Sequence, residues 1–254
     1  MAITSSDIEY HVAGVRYAGL LYDDDQRGHD RPGVLVAPAA MGLGPNAKAV
    51  AHRLAELGYV AFAMDYYGDG ASPPHDVRAP RLNALRADVD KARAIGLEAL
   101  RVLTSRPQTD PDRVAAIGHC YGGALALELA RAGADLKAVV AFHAELATPR
   151  PKDAQAIRGK VLAIIGSEDP LVPRADRTAF EQEMTDGGID WRLYVLGGVG
   201  HSYTNPSVLP GGEPGMAYNA AADRRSWIAM LDLLREVFDD PSRNAGDVAL
   251  SRGR

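Results

Sequence analysis

The chain holds a single cysteine, Cys120, among its 254 residues. An internal disulfide is therefore impossible, and so is a cysteine-based metal site, because either needs a second thiol. A lone thiol suits a reducing compartment and has no resolving partner within the chain. Long apolar runs are missing as well. No stretch of about 18 consecutive apolar residues occurs, so nothing reads as a membrane span. The opening residues Met1 to Asp7 lack a basic region followed by an apolar core, so a cytoplasmic location and no membrane partner are expected. No basic cluster stands out, and 28 Lys and Arg against 33 Asp and Glu leave a formal net charge of −5, so no nucleic acid is expected as a partner. There is no internal repeat. At 46% hydrophobic content the chain has enough apolar surface for one large core. The expected organisation is one domain over 1–240, with a loosely held polar tail at 241–254.

What is present is an alternation of strand and helix patterns. Residues 8–22 alternate around Ala13-Gly14 and suggest an edge hairpin. Continuous apolar runs at 33–37, 59–64, 113–117, 137–142 and 160–165, with 191–196 after them, read as strands of a parallel sheet buried on both faces. Helical patterns lie between them at 46–57, 81–105, 124–132 and 173–186, and a last one at 218–238. Residues 65–80 carry Gly, Pro and charge without a period and read as a long loop. The implied fold class is α/β: a doubly wound, mostly parallel sheet with helices on both faces and its ligand site at the carboxyl ends of the strands.

One hexapeptide organises the rest. Gly118-His119-Cys120-Tyr121-Gly122-Gly123 follows the 113–117 strand and precedes a helix. With cysteine in place of serine it is a G-x-S-x-G nucleophile elbow, whose small residues let the chain turn sharply and present a reactive side chain above the sheet. A buried structural cysteine is the dull alternative, and the downstream residues decide against it. Asp169 stands in the loop after strand 160–165, with Glu168 as the less suitable acid. His201 stands in the glycine-rich turn after strand 191–196. Acid then histidine is the chain order an α/β-hydrolase uses. Cys120 is expected as nucleophile, His201 as base and Asp169 as the group that fixes the imidazole. The amides of Tyr121 and Ala40 are the expected oxyanion donors.

Together, Gly118-x-Cys120-x-Gly122-Gly123, Gly166-x-x-Asp169-Pro170-x-x-Pro173 and Gly200-His201-Ser202 resemble the dienelactone hydrolases, α/β-hydrolases with a cysteine nucleophile. Arg53 to Tyr59, Asp65-Tyr66-Tyr67-Gly68 and Tyr218 to Asp223 extend the resemblance from about residue 10 to 238. It implies ester or lactone hydrolysis through an acyl-enzyme, with a small-molecule substrate, no cofactor, no metal, and a monomeric or homodimeric enzyme. Two departures matter. Pro38-Ala39 stands where members carry an acidic residue after the first parallel strand. Tyr203-Thr204-Asn205-Pro206 follows the histidine where enzymes that take dienelactone place a carboxylate-binding arginine. Met41, Tyr66, Tyr203 and Asn205 are expected around the substrate, with Arg78 and Arg81 as alternative carboxylate ligands. His143 and Glu145 stand where they alter the pocket's polarity. Neutral esters or lactones are the favoured substrates. A non-hydrolytic cyclase, isomerase or lyase acting on a biosynthetic intermediate is the second possibility, and a non-catalytic binding protein the third.

Overall fold

Why the strands stack as a parallel sheet is plain in the first of them after the hairpin. In β3 (Arg31–Ala37) Val34 and Val36 turn to one side of the sheet and Leu35 and Ala37 to the other, and all four are buried. A strand apolar on both faces needs helices on both faces. The computed structural model, which describes residues 2–239, supplies them. Before β3 come β1 (Ile3–Val12) and β2 (Val15–Asp24). After it follow α1 (Pro45–Glu56), β4 (Val60–Ala63), α2 (His75–Ala87), α3 (Val89–Thr104), β5 (Thr109–His119), α4 (Tyr121–Arg131) and β6 (Ala138–Phe142). The chain continues through β7 (Lys160–Gly166), α5 (Arg174–Asp186), β8 (Trp191–Leu196) and α6 (Ala220–Phe238).

The eight strands form one sheet in the order β1-β2-β4-β3-β5-β6-β7-β8. β1 and β2 form an antiparallel hairpin with Val12 opposite Val15, and β2 runs antiparallel to β4. All later pairings are parallel. α1 and α6 cover one face, where Leu54, Met230 and Leu234 pack on Val34, Val36 and Ile117. α3, α4 and α5 cover the other, where Ile95, Leu129 and Phe180 lie within the cluster containing Leu35 and Ala116. The second face also encloses a charged cluster. Arg131 is fully buried and pairs with Glu128 and Glu183, and Arg93 pairs with Glu128 and Asp153. Each buried charge thus meets its opposite, the condition under which burial is tolerated.

The sequence-based boundaries need one substantive correction. The stretch expected as loop through residue 80 becomes helical at His75, and the single helix expected over 81–105 is two helices broken at Asp88. Asp88 has extended backbone, φ −123° and ψ 85°, and its side chain accepts from the Lys91 amide, capping α3. Pro80 lies inside α2, where proline ordinarily argues against a helix. α1 begins one residue earlier than expected, with Gly44 rather than Asn46 at the cap position. The tail expected at 241–254 lies outside the described residues. Among the described residues, no helix is long and apolar enough to cross a membrane.

Candidate active site

At the end of β5 the chain has to reverse into α4 within one residue, and Cys120 is that residue. Its backbone has φ 52° and ψ −124°, a conformation that side-chain-bearing residues adopt only where surrounding structure enforces it. The enforcement is visible. The Cys120 amide donates to the Phe142 carbonyl at 2.9 Å, and the Cys120 carbonyl accepts from Gly123 at 2.9 Å and Ala124 at 3.2 Å. A methyl at Gly118 would stand 2.1 Å from the Gly122 carbonyl oxygen, and one at Gly122 would stand 2.1 Å from the Ala37 oxygen. Only glycine lets β3, the elbow and α4 approach this closely. The Cys120 side chain is nearly buried, at 9% exposure.

Two loops bring the partners. Asp169, buried after β7, accepts from the Leu171 amide at 2.9 Å through one oxygen, while its other oxygen lies 2.8 Å from Nδ1 of His201. Glu168 points to solvent and meets Ser167 instead. His201 is held by backbone, its amide donating to the Gly215 carbonyl at 2.7 Å and its carbonyl accepting from Ala217 at 3.1 Å. Cys120 is the second group whose presence raises the imidazole. Burial by itself pushes His201 down, but hydrogen bonds to Asp169 and Cys120 and the charges of both outweigh it and lift the imidazole to about 9.

Two neighbouring histidines behave oppositely. His119, stacked 4.6 Å from Phe142, is pushed down to about 4 by burial. His143 is pushed well below its ordinary value, chiefly by burial and further by the neighbouring imidazoles His201 and His119. It lies behind His201 with ring centroids 4.9 Å apart, bonded through Nε2 to Thr204 at 2.8 Å. Tyr203 is likewise part of the packing. It is fully buried with its hydroxyl donating to the Ile164 carbonyl, and it lines neither the cavity at Tyr121 nor the one at Met41.

Neither the Tyr121 nor the Ala40 amide donates a hydrogen bond among the described residues. The loop carrying Ala40 is braced by two tyrosines from the end of β4. Tyr66 donates to the Ala39 carbonyl and lies 3.2 Å from that of Pro38, and Tyr67 donates to the Ala40 carbonyl at 2.9 Å. Asp65 in turn shapes the tyrosine loop, accepting from the amides of Tyr67, Gly68 and Gly70. The sequence suggested Tyr66 as pocket lining. It does line a cavity, of about 290 Å³, with Tyr67 and Arg81, and its acceptors make it a strut for the Ala40 loop as well.

Of the expected peripheral residues, Met41 and Asn205 line one cavity of about 150 Å³, and Glu145 lines another of about 150 Å³ with Tyr121. Arg78 and Arg81 do not converge with them. Arg78 donates to the Pro73 carbonyl at 3.1 Å, and Arg81 to the Tyr67 carbonyl and to Asp69. The arginine that reaches the Glu145 cavity is Arg86, which no sequence signal singles out.

Comparison with known proteins bears on this geometry. The solved structure named m3DLH is 42% identical, covers 94% of this chain and 100% of its own, and superposes with a TM-score of 0.90. A dienelactone hydrolase-like promiscuous phosphotriesterase from metagenomic libraries is 39% identical over 94% of this chain and 100% of its own, also with a TM-score of 0.90. Protein usf of Aquifex pyrophilus is 29% identical over 78% of this chain and 86% of its own. The model of the dienelactone hydrolase family matches residues 17–238, and with that match the chain belongs to this family of α/β-hydrolases and is a hydrolase.

Proposed function

We propose that the protein is a cysteine hydrolase of small or medium neutral esters or lactones, working through an acyl-enzyme on Cys120. The observation that carries this reading is the pairing of Asp169 with Nδ1 of His201 at 2.8 Å, together with the strained elbow that carries the thiol of Cys120. The Cys120 sulfur, its proton held by His201, attacks the substrate carbonyl and a C–S bond forms. The resulting oxyanion meets the amides of Tyr121 and Ala40. Nε2 of His201 then gives its proton to the departing alkoxide as the C–O bond breaks. A water attacks the thioester, His201 takes its proton, the C–S bond breaks, and the acid leaves. Asp169 keeps the imidazole in the tautomer that serves both transfers.

Substrate charge follows from the surroundings. Arg78 and Arg81 are engaged by the loop preceding α2, and Asn205 cannot offer the bidentate fork that a carboxylate prefers. A neutral acyl group is therefore favoured. The relative described as a promiscuous phosphotriesterase supports a site tolerant of neutral esters, including neutral phosphoesters, in this chain too. Intact mass after mixing with activated neutral esters tests the mechanism. An acyl adduct on Cys120, absent in Cys120→Ala, is expected, and full turnover by Cys120→Ala would overturn it.

A further inference from the structure

The cavity beside Tyr121 is enclosed by α2, α3, α4 and the segment after β6 and measures about 150 Å³. A cavity of roughly this size accepts a benzene-sized group. Leu85, Val89, Ala92 and Leu125 make its wall apolar. Tyr121 joins it to the reaction centre, since its amide belongs to the elbow and its ring lines the cavity, edge-on to Tyr66 at 5.3 Å. Three charged side chains reach it. Glu128 is fully engaged, one oxygen held by Arg93 and the other by Arg131. The remaining two, Arg86 from α2 and Glu145 from beyond β6, form an ion pair with each other. Both are partly exposed, at 37% and 32%, so they stand at the solvent side of the cavity. Only Nη2 of Arg86 is used. Its other donors make no hydrogen bond among the described residues.

We propose that Arg86 and Glu145 form a charge latch that sets which acyl groups the cavity accepts. This rests on the reading that an acyl chain attached at Cys120 extends into the cavity past Tyr121. Glu145 occupies the place beside Arg86 that a carboxylate at the far end of such a chain requires. An anionic acyl group must displace Glu145 and then lie next to its charge, whereas a neutral one leaves the pair intact. The latch accounts for a neutral preference at a cavity that nevertheless contains an arginine. Removing the Glu145 charge converts the same cavity into a site for acyl chains ending in a carboxylate.

The test measures binding, so that it does not depend on turnover. Hexanamide and adipamate have the same six-carbon acyl skeleton and differ in the terminal carboxylate, and their affinities are read by NMR titration. The native protein is expected to bind hexanamide at least as well as adipamate. In Glu145→Gln the adipamate-to-hexanamide affinity ratio is expected to rise about fivefold at low ionic strength, the scale of a partly exposed charge contact, and to shrink with added salt. In the double variant Arg86→Gln/Glu145→Gln the gain is expected to vanish. No rise in Glu145→Gln, no binding of either amide, or a gain that survives loss of Arg86 would each overturn the latch. Hydrolysis of neutral esters through Cys120 is measured separately, so failure of that mechanism is distinguishable from failure of the latch.

Discussion

Replacing Tyr66 by Phe tests how the proposed oxyanion donor at Ala40 is aimed. The Ala39 carbonyl and the Ala40 N–H belong to one peptide unit, and in a trans peptide the two point in opposite directions. Fixing the Ala39 oxygen therefore fixes where the Ala40 N–H points. Two donors do this, the buried Tyr66 hydroxyl and the Gly42 amide at 2.8 Å. Tyr66→Phe removes the first and leaves the second, so the peptide is loosened rather than released. A typical internal hydrogen bond contributes about 1 kcal/mol net, which for a chain of this size lowers the melting temperature by roughly 2–4 °C. Losing an oxyanion donor outright costs about 10²- to 10³-fold in kcat, and a loosened one should cost about tenfold. KM should stay within about twofold, because the interaction exists only once charge develops on the substrate oxygen. Tyr67→Phe frees the next carbonyl along and should reduce kcat less. Steady-state kinetics on 4-nitrophenyl hexanoate with parallel thermal melts read both effects. An unchanged kcat in Tyr66→Phe beside a lowered melting temperature would show that the strut is structural only.

Asp169→Asn should lower kcat/KM by about 10⁴-fold while Glu168→Gln leaves it unchanged, and the reverse ranking would move the orienting role one residue back. The pH dependence has a definite sign. His201 carries its proton below about 9, so kcat/KM for neutral esters should fall as pH rises through about 9, when the leaving alkoxide loses its acid. A profile flat to pH 10 would contradict that assignment. Gly122→Ala places a methyl 2.1 Å from the Ala37 oxygen and 2.3 Å from that of Pro38. Chemical denaturation should show a loss of about 3 kcal/mol, the upper end of ordinary overpacking, and a loss under about 1 kcal/mol would mean that the elbow is less tightly determined.

Much of this was legible because the signals are local. The strands buried on both faces announce themselves as unbroken apolar runs, and the elbow is a contiguous hexapeptide whose glycines stand against backbone oxygens. Asp169 and His201 each follow a strand directly, so chain order alone placed them at one end of the sheet. Residues whose roles depend on long-range contact were not legible. Tyr66 looked like an aromatic pocket wall alone, because nothing nearby in sequence reveals that its acceptors lie 27 and 28 residues upstream. Arg86 sits in an ordinary charged helix and gains its place only through a glutamate 59 residues later. Pro80 misled because proline disfavours helix on average, and here the packing of α2 on α3 overrides the local preference.

The missing acidic residue before Ala40 leads to a particular division of labour. With Pro38-Ala39 in that place, the negative charges acting on His201 are Asp169 and Cys120. On the proposed mechanism both favour the protonated imidazole before acylation. Once the sulfur is acylated its charge and its hydrogen bond both disappear, burial pulls the imidazole back down, and Asp169 alone opposes it. The group that acted as acid toward the leaving alkoxide thereby becomes a base able to take a proton from water. No third residue has to change state between the half-reactions. A neutral phosphotriester would leave a dialkylphosphoryl group on Cys120 that carries no charge, whereas a phosphodiester would leave an anionic phosphoryl group whose oxygen restores negative charge beside His201 and holds the imidazole in its protonated form. Turnover of a phosphodiester should accordingly show a burst equal to the enzyme concentration followed by a slow phase, while a neutral carboxylic ester shows none. Equal steady rates without a burst would mean that His201 does not respond to the charge on sulfur.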